Sequence, residues 1–334
     1  MKKTQLLGIL VTLNIIFLCY IGQNLIWQKS ADYGLKQKAV AKTLAAQKAI
    51  GERLTGEEYT PITTTLGAKE AKLLAQNPNF AAVAVDLLSK AGVAAGDKVA
   101  INLSSSFPAL NIAVIAATDA LGAQPVIISS VGASTWGANR PDYTWLDMEN
   151  TLVQAGIWSF KSQAAGMGGG SDQGQDLMEE GKALIRKAIE RSQVPFLHST
   201  SLEDAIAKRL AVYRKANGGN LPKALVNVGG SHVIFGTPGH GAFLRQGLTQ
   251  GYRPSLGQNN GLAAAFLQQN RPVIHFINIS RLAAKYDLTP TGYGEKGKAF
   301  YQLALPGYLR GIIMLWVAAM LLVLYYGKRR EWWQ

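Results

Sequence analysis

Residues 98–129 read KVAINLSSSFPALNIAVIAATDALGAQPVIIS, and this stretch decides the fold. The apolar run from Lys98 to Leu103 predicts a strand that ends at three serines. Pro108 then opens an apolar segment of helical length that runs to Leu121, since proline is well suited to the first turn of a helix. A second apolar run, from Gln124 to Ser129, predicts another strand. A strand, a helix and a strand in this order are typical of a βαβ unit with parallel strands.

The same alternation continues along the chain. Further strands are predicted at residues 158–163, 194–197, 224–228 and 272–279, and helices at 147–155, 172–192, 201–216 and 262–270. Most of the strand runs are short and almost wholly apolar, as parallel strands buried on both faces are. We therefore predict an α/β fold, with a mainly parallel Rossmann-like sheet flanked by helices, in one domain over residues 68–307.

Apolar runs at the two ends of the chain predict membrane anchoring. Residues 6–27 carry no charge and are long enough to cross a bilayer, and residues 308–327 form a second such run. A cleaved signal peptide is the alternative for the first run, but its length and the residues after it favour an uncleaved helix. Basic residues at 2–3 and 328–330 predict that both termini are cytoplasmic, so the α/β domain would be extracytoplasmic. Residues 1–5 would be a short cytoplasmic segment, residues 28–67 a helical stalk and linker, and residues 328–334 a basic tail.

Charge is distributed unevenly. The 334 residues include 34 Lys and Arg against 21 Asp and Glu, which gives a net charge of +13. Residues 205–310 contain thirteen basic residues but only Asp287 and Glu295 as acidic ones. This asymmetry predicts an anionic partner, either a polyanion or lipid head groups. The alternative is that the cations lie on solvated faces beside acidic residues from earlier in the chain. The candidate contacts for a polyanion are Arg245, Arg253, Arg271 and Arg281.

Small polar loops follow four of the predicted strands. Ligands in an open parallel sheet gather at the carboxyl ends of the strands, so these loops are the candidate anion site. Such a site could take carboxylate or phosphate, although turns and helix caps alone also favour Gly and Ser. An aromatic-rich segment after the second loop adds a possible cleft wall. The candidates are Ser104, Ser105, Ser106, Ser129, Ser130, Ser134, Asn139, Arg140, Gly168, Gly169, Gly170, Ser171, Gly229, Gly230, Ser231 and His232.

Established motifs do not assign a reaction. The chain has no GxSxG nucleophile elbow and no GxxxxGK[ST] phosphate loop, and its four histidines show no helical zinc spacing. No metal or cofactor is expected. We expect His275 to be a core histidine and His240 a loop residue. For His232 we expect first a role as hydrogen-bond donor to an anion, and only second a catalytic role. Ser231 and His232 are neighbours that would point apart in a strand, so the catalytic residues stay unknown.

Several separated motifs resemble one bacterial family. They are residues 79–82 (NFAA), 104–122 (SSSFPALNIAVIAATDALG), 126–139 (VIISSVGASTWGAN), 144–149 (TWLDME), 226–232 (VNVGGSH) and 272–279 (PVIHFINI). Together they are similar to the poly-gamma-glutamate system protein family. The resemblance implies a membrane-anchored accessory protein of poly-gamma-glutamate synthesis and export, and it carries over no catalytic residue.

Three functions follow as expectations. The first is an external basic domain that binds the anionic polymer or the synthase complex, in the cytoplasmic membrane and with other subunits of that complex as partners. The second is an extracytoplasmic hydrolase or transferase that acts on gamma-glutamyl bonds. The third is a structural subunit that acts through its membrane spans. No nucleic-acid partner is expected.

Overall fold

The computed structural model describes residues 3–236, 244–251, 261–292, 294–295 and 297–329. The chain divides into two compact units. The smaller unit joins the two ends of the chain, Met1–Ala31 and Tyr301–Gln334, and the larger unit is Asp32–Phe300.

The smaller unit pairs two helices and two short strands. Its elements are α1 (Lys3–Gln23), β1 (Ile26–Lys29), β12 (Tyr301–Ala304) and α12 (Gly307–Arg329). The strands β1 and β12 pair antiparallel, with Ile26 opposite Ala304. The helices touch where the ring of Phe17 stacks on that of Trp316 at a centroid distance of 4.4 Å. The indole N–H of Trp316 also donates to Asn14 Oδ1 at 3.1 Å.

Within the described residues, one helical segment is long and apolar enough to cross a membrane. It is Gly307–Gly327 in α12, whereas the apolar section of α1, Gly8–Gln23, is shorter. The structure therefore supports one candidate span, and the prediction of two spans is not supported by this criterion.

The larger unit alternates strands with helices. It contains α2 (Tyr33–Ile50), β2 (Thr63–Thr65), α3 (Lys69–Ala75), α4 (Phe80–Lys90), β3 (Lys98–Ser104), α5 (Pro108–Ala120), β4 (Gln124–Ser130), β5 (Ala133–Ser134), β6 (Asn139–Arg140), β7 (Tyr143–Thr144), α6 (Trp145–Gln154), β8 (Ala164–Gly166), α7 (Glu179–Arg191), α8 (Leu202–Ala216), β9 (Ala224–Val228), α9 (His232–Phe235), β10 (Gly247–Thr249), α10 (Leu262–Gln268), β11 (Val273–Phe276) and α11 (Ile279–Tyr286). The segment expected to be a stalk forms α2, which packs on α4 and α5 within this unit.

Six strands form the central sheet, in the order β10-β11-β9-β3-β4-β8. All neighbours are parallel except β10, which runs antiparallel to β11 at one edge. The strands β3 and β9 are almost wholly buried, as expected for a sheet covered on both faces. The prediction of a mixed α/β fold with a mostly parallel, helix-flanked sheet is thus confirmed.

Side chains alternate between the two faces of the sheet. Ala100, Val126 and Leu225 point to one face, where they form a core with residues of α8, α9 and α10. Val99 and Ile101 point to the other face, where α5 packs over β3 and β4 and contacts α4 and α2. The polar side chains at the strand ends also alternate between the two faces, so neighbouring candidates such as Ser129 and Ser130 point in opposite directions.

Two predicted strands and one predicted helix are displaced in the structure, and the strand predicted over residues 272–279 is shortened to Val273–Phe276. The strand after α6 is Ala164–Gly166 and not residues 158–163, and residues 194–197 contribute only an isolated bridge from Phe196 to Ala165. The helix expected from Asp172 begins at Glu179. A 3₁₀ turn, Gly170–Asp172, replaces its start because Asp172 turns back to pair with Arg209.

Candidate functional site

The chain changes direction between β3 and β9, which are neighbours in the middle of the sheet. From β3 it passes through α5 to β4 on one side, and from β9 it passes through α9 and α10 to β11 on the other side. The connecting helices lie on opposite faces, so a crevice opens at the carboxyl ends of these two strands. Such switch points are the common ligand sites of open α/β sheets.

A cleft of about 400 Å³ lies at these strand ends. Its lining brings together all four of the predicted small-residue loops. The predicted residues that line it are Ser104, Ser106, Ser130, Ser134, Gly168, Gly169, Gly170, Gly230, Ser231 and His232. Residues that sequence reasoning did not select also line it, among them Thr64, Thr65, Gly67, Lys72, Phe107, Gly132 and Asp176.

Six predicted site residues lie outside this lining. Ser105 donates its hydroxyl to the Ser130 carbonyl, and Ser129 pairs with Ser162 on the other side of β4. The backbone N–H of Ser171 donates to His232, and Gly229 packs behind the cleft against Ser104. Asn139 and Arg140 bind the segment around Glu57, with Asn139 Oδ1 accepting its N–H and Arg140 forming an ion pair with its carboxylate at 2.6 Å.

Three of the arginines proposed to contact a polyanion, Arg245, Arg271 and Arg281, do not line the cleft. Arg245 and Arg281 are exposed and Arg271 is half-buried, at the amino end of β11. Arg253 and His240 lie outside the described residues. Arg209, another cation of the same basic stretch, is completely buried and pairs with Asp172 at 2.6 Å. At least part of the basic stretch is therefore matched by acidic residues from earlier in the chain.

Lys72 is the cation that sequence reasoning missed. It lies on α3, lines the cleft and is only 5% exposed. Its Nζ donates to the Ser106 carbonyl at 2.6 Å and to Ser134 Oγ at 2.7 Å. The one available signal is weak: Lys72 follows a small polar segment, and no acidic residue stands three or four positions away on its helix.

The surroundings of Lys72 disfavour its charged form. Within the described residues no carboxylate lies at ion-pair distance, and burial lowers the pKa of Lys72 from its ordinary value to about 7. The Phe107 ring centroid lies 3.5 Å from Nζ and favours the ammonium ion through a cation–π contact. Both protonation states are therefore accessible near neutral pH.

Two serines share this corner of the cleft. Ser134 lies on β5, which pairs with β2, and β2 leads through Gly67 into α3. The backbone N–H of Ser134 donates to Ser106 Oγ at 2.9 Å. Because Ser106 Oγ accepts this bond, its own hydroxyl proton is left to donate into the cleft.

His232 occupies the opposite loop and has a defined tautomer. Its Nδ1 accepts the backbone N–H of Ser171 at 3.0 Å, which leaves the proton of the neutral ring on Nε2. The side chain is exposed and lines the cleft. His232 can therefore offer its Nε2–H as a donor to an anion.

A buried polar row lies under the cleft and crosses three strands in register. His275 on β11 pairs with Asn227 on β9, and Asn227 accepts from Asn102 on β3. Asn102 also donates to Ser231 Oγ at 3.2 Å and accepts from Arg209. The row thus links the floor of the cleft to the core.

Burial fixes the charge states along this row. It lowers the pKa of His275 to about 4, so the ring is neutral at physiological pH. His275 is a core histidine, as its position on β11 suggested, but its Nε2 has no hydrogen-bond partner within the described residues. Arg209 and Asp172 neutralise each other, and Asp172 also accepts from Ser130 and from the Gly168 N–H. The row therefore contributes dipoles rather than net charge to the cleft.

Gly229 explains why the chain has paired glycines after β9. Its φ of +89° is in the region that favours glycine, and a Cβ at this position would come within 2.8 Å of Ser104 Cβ. The close approach brings the ends of β3 and β9 together. Gly230, with ordinary backbone, then forms part of the cleft wall.

The described residues offer no cluster suited to a metal ion: no three His, Cys, Asp or Glu side chains come together there. The described part of the lining offers several hydroxyls, one imidazole and one amine as donors, and its one carboxylate, Asp176, accepts from the Gly170 N–H at 2.6 Å. Such a set suits an anion better than a cation.

Comparisons with known proteins do not identify a family. No protein-family model matches the chain, and no curated protein matches it. A solved structure that is similar is an archaeal alanine:glyoxylate aminotransferase, at 12% identity and a TM-score of 0.18. The alignment covers 86% of this chain and 56% of that one. A likeness at this level carries no argument about fold or function.

Proposed function

We propose that the α/β unit binds an anionic, carboxylate-bearing polymer in the cleft, and that the protein is a membrane-anchored accessory component of poly-gamma-glutamate synthesis and export. The observation that carries the binding proposal is Lys72. A buried amine without an acidic partner is costly in its charged form, and an anionic ligand in the cleft would supply the missing charge.

The other groups in the cleft fit the same ligand. Ser106, Ser231 and His232 can donate hydrogen bonds to carboxylate oxygens, and charge-assisted bonds of this kind are the strong ones. A volume of about 400 Å³ is within the range of small-ligand sites. The cleft would therefore hold a short segment of the polymer and not its whole length.

A binding titration tests this proposal. We expect poly-gamma-glutamate to bind the full-length protein in detergent at low salt, with affinity that falls as salt is raised. Lys72→Met removes the buried charge at little change in volume and should weaken binding at least tenfold. The matched control is Lys69→Met, an exposed lysine on the same helix whose Nζ lies over the Trp136 ring outside the cleft.

The outcomes separate the candidate functions. Equal losses for the two variants would show that binding is a general surface-charge effect and not a property of the cleft. No binding by the wild-type protein at low salt would remove the polymer proposal. It would favour a structural subunit that acts through its membrane spans, for which substitutions in the cleft are silent and substitutions in α1 or α12 abolish polymer production.

The two-span topology, with the α/β unit outside the cytoplasmic membrane, also belongs to this proposal. The antiparallel pairing of β1 and β12 supports it, because it brings the end of α1 and the start of α12 to the same end of the ladder. The contact of Phe17 with Trp316 then sets α1 beside the apolar α12. Reporter fusions at each terminus should both report a cytoplasmic location. An external signal at one terminus alone would contradict two spans, and external signals at both would contradict the orientation.

A second candidate function is an enzyme that acts on gamma-glutamyl bonds in the same cleft. The observation that favours it is the hydrogen bond between Lys72 Nζ and Ser134 Oγ. Incubation of the full-length protein with the polymer, followed by measurement of chain length, distinguishes an enzyme from a binding protein.

A further inference from the structure

We propose that Ser134 and Lys72 form a nucleophile and general-base pair that cleaves or transfers an amide bond of the anionic ligand. The identity of the substrate rests on the proposed function, whereas the pair itself rests on geometry. Ser231 and His232, the neighbouring serine and histidine considered from the sequence, do not have this arrangement.

The geometry meets the first requirement of serine chemistry. A nucleophile and its base must lie within hydrogen-bond distance, and Ser134 Oγ lies 2.7 Å from Lys72 Nζ. Both side chains are buried at 5% exposure, yet both line the cleft that a substrate would enter. The carbonyl of Ser106 accepts a second bond from Nζ at 2.6 Å and so orients the amine. A serine with a lysine base is a known variant of the catalytic triad.

The second requirement is a neutral amine. A lysine in water is protonated at pH 7 and cannot accept a proton, but burial brings the pKa of Lys72 to about 7. The other titratable groups in the cleft lining are Asp176 and His232, and α11, which packs on α3, carries Arg281 and Lys285, both exposed. None of these forms an ion pair with Lys72, so near neutral pH a large fraction of the amine can act as a base.

The other cleft serines lack this arrangement. Ser231 Oγ accepts a bond from Asn102, and the neighbouring His232 uses Nδ1 for the Ser171 N–H. Ser130 Oγ lies between Arg209 and Asp172, in a buried ion pair that does not offer a free base. Ser134 is therefore the cleft serine for which the structure shows an adjacent amine.

The reaction has two stages, acylation of Ser134 and then transfer of the acyl group to water or an amine. Ser134 Oγ attacks the amide carbonyl carbon while its proton passes to Lys72 Nζ. The carbon–nitrogen bond breaks, Lys72 returns the proton to the departing amine, and the acyl group remains as an ester on Ser134. Water, or the amine of another chain, then attacks this ester as Lys72 removes its proton. The ester carbon–oxygen bond breaks, Lys72 returns the proton to Ser134 Oγ, and the acid or the transferred amide is released. Ser106 Oγ–H supplies a hydrogen-bond donor beside Ser134 for the developing oxyanion.

Binding and chemistry then require opposite states of one lysine. The ammonium form attracts the carboxylates of the polymer, and the neutral form activates Ser134. Cleavage measured as kcat/KM should therefore rise with pH through about 7 to a plateau. A merely structural lysine would give no such profile.

The test uses the full-length protein with a fluorophosphonate probe, which reacts covalently with activated serines, and with poly-gamma-glutamate as substrate. We expect the probe to label Ser134, as located by peptide mass spectrometry, and the polymer to shorten. Ser134→Ala should abolish both. Lys72→Arg keeps a positive charge but cannot act as a base, so polymer binding should persist while labelling and cleavage fall by about 10³-fold. Ser89→Ala, on α4 and outside the cleft lining, is the control.

Each result bears on a separate part of the proposal. Polymer binding without labelling at Ser134 would overturn the pair and leave the proposed function intact. Labelling at Ser134 that depends on Lys72, without polymer cleavage, would overturn the substrate and retain the pair. If Lys72→Arg fails to fold, Ser134→Ala still decides, because a fold retained with unchanged cleavage rules out Ser134 as the nucleophile.

Discussion

At the scale of single residues, Lys72 has properties that a composition analysis does not reveal. The sequence contains 34 Lys and Arg residues, and Lys72 is one of them, on a short helix. Its significance comes from tertiary packing, because β2 and β5 bring Ser134 and the Ser106 carbonyl to its amine. Periodicity within α3 contains no information about those partners, so the only local signal is that no acidic residue stands three or four positions from Lys72.

Ser129 and Ser130 show what alternation could have predicted. Side chains along a strand point to opposite faces, so two adjacent serines cannot both line one cleft. The structure places Ser130 in the cleft lining and Ser129 against Ser162 on the other face. Only one of the two serines therefore belongs to the site, and the alternation of side chains along the strand is enough to exclude the other.

Glu149 yields a prediction about stability and pH. It is buried on α6, and both carboxylate oxygens accept bonds from Ser162, one from the hydroxyl and one from the backbone N–H. Burial raises the pKa of Glu149 to about 7. Between about pH 4.5 and pH 7 the folded protein therefore holds a proton that the unfolded chain has released. Stability must fall as pH rises through this window, by about 3 kcal/mol in total.

Glu149→Gln should remove this pH dependence. The amide cannot ionise, so relative to wild type the variant should gain about 3 kcal/mol in unfolding free energy between pH 4.5 and pH 8. It also loses one acceptor for Ser162, a cost that does not vary with pH. Urea unfolding of the full-length protein at several pH values measures the difference. Glu190→Gln, at an exposed position, controls for the loss of one negative charge; parallel wild-type and Glu149→Gln curves would refute the prediction.

At the scale of elements, strands flanked by clear breakers were predicted well. Ala224–Val228 was predicted with the bounds that the structure shows, and the helix after Pro108 differs by one residue at its end. The errors lie where long-range pairing decides, as in β8, whose three residues are strand because β4 aligns them. A three-residue strand has too little periodicity of its own to be recognised.

The turn after β9 gives an element-scale prediction. Gly229→Ala adds a Cβ within 2.8 Å of Ser104 Cβ and also strains a φ of +89°. Gly218→Ala is the matched control, because its φ is +62° but nothing lies within 4 Å of the added atom. We expect about 1 kcal/mol of destabilisation for Gly218→Ala and about 1–2 kcal/mol more for Gly229→Ala.

The same turn should affect ligand binding. Because Gly229 holds the ends of β3 and β9 together, Gly229→Ala should also weaken polymer binding, and Gly218→Ala should not. Thermal unfolding and a binding titration of the two variants measure both effects. Equal destabilisation by the two substitutions would show that the contact with Ser104 is unimportant.

At the scale of the whole molecule, net charge proved a less specific guide than the topology of the sheet. The basic stretch over residues 205–310 includes Arg209, which Asp172 neutralises in the core, and Lys208, which pairs with Asp204. The pair of Lys208 with Asp204 is local in the sequence, but summed charge cannot anticipate a partner such as Asp172, which folding brings to Arg209 from 37 positions away. The rule that ligands gather at strand ends did anticipate where the small-residue loops meet, because parallel topology by itself places those ends at one edge.

The smaller unit shows the same limit for membrane segments. The apolar runs in the sequence predicted two spans, at residues 6–27 and 308–327. Among the described residues, only Gly307–Gly327 has the length and apolar character of a span. Asn14 lies within the apolar section of α1, Gly8–Gln23, and accepts a hydrogen bond from Trp316.

We propose that Lys72, in its charged form, binds a carboxylate ligand in the cleft. The most direct measurement is the Kd of a short gamma-linked glutamate oligomer for the full-length protein between about pH 6 and pH 9, a range in which the carboxylates of the ligand stay ionised. For wild type, the Kd should be constant below about pH 7 and then rise by up to tenfold per pH unit, because deprotonated Lys72 must regain its proton to bind. For Lys72→Arg, the Kd should stay constant across the range. A wild-type Kd that does not change with pH, or a rise of the same steepness in Lys72→Arg, would contradict the claim.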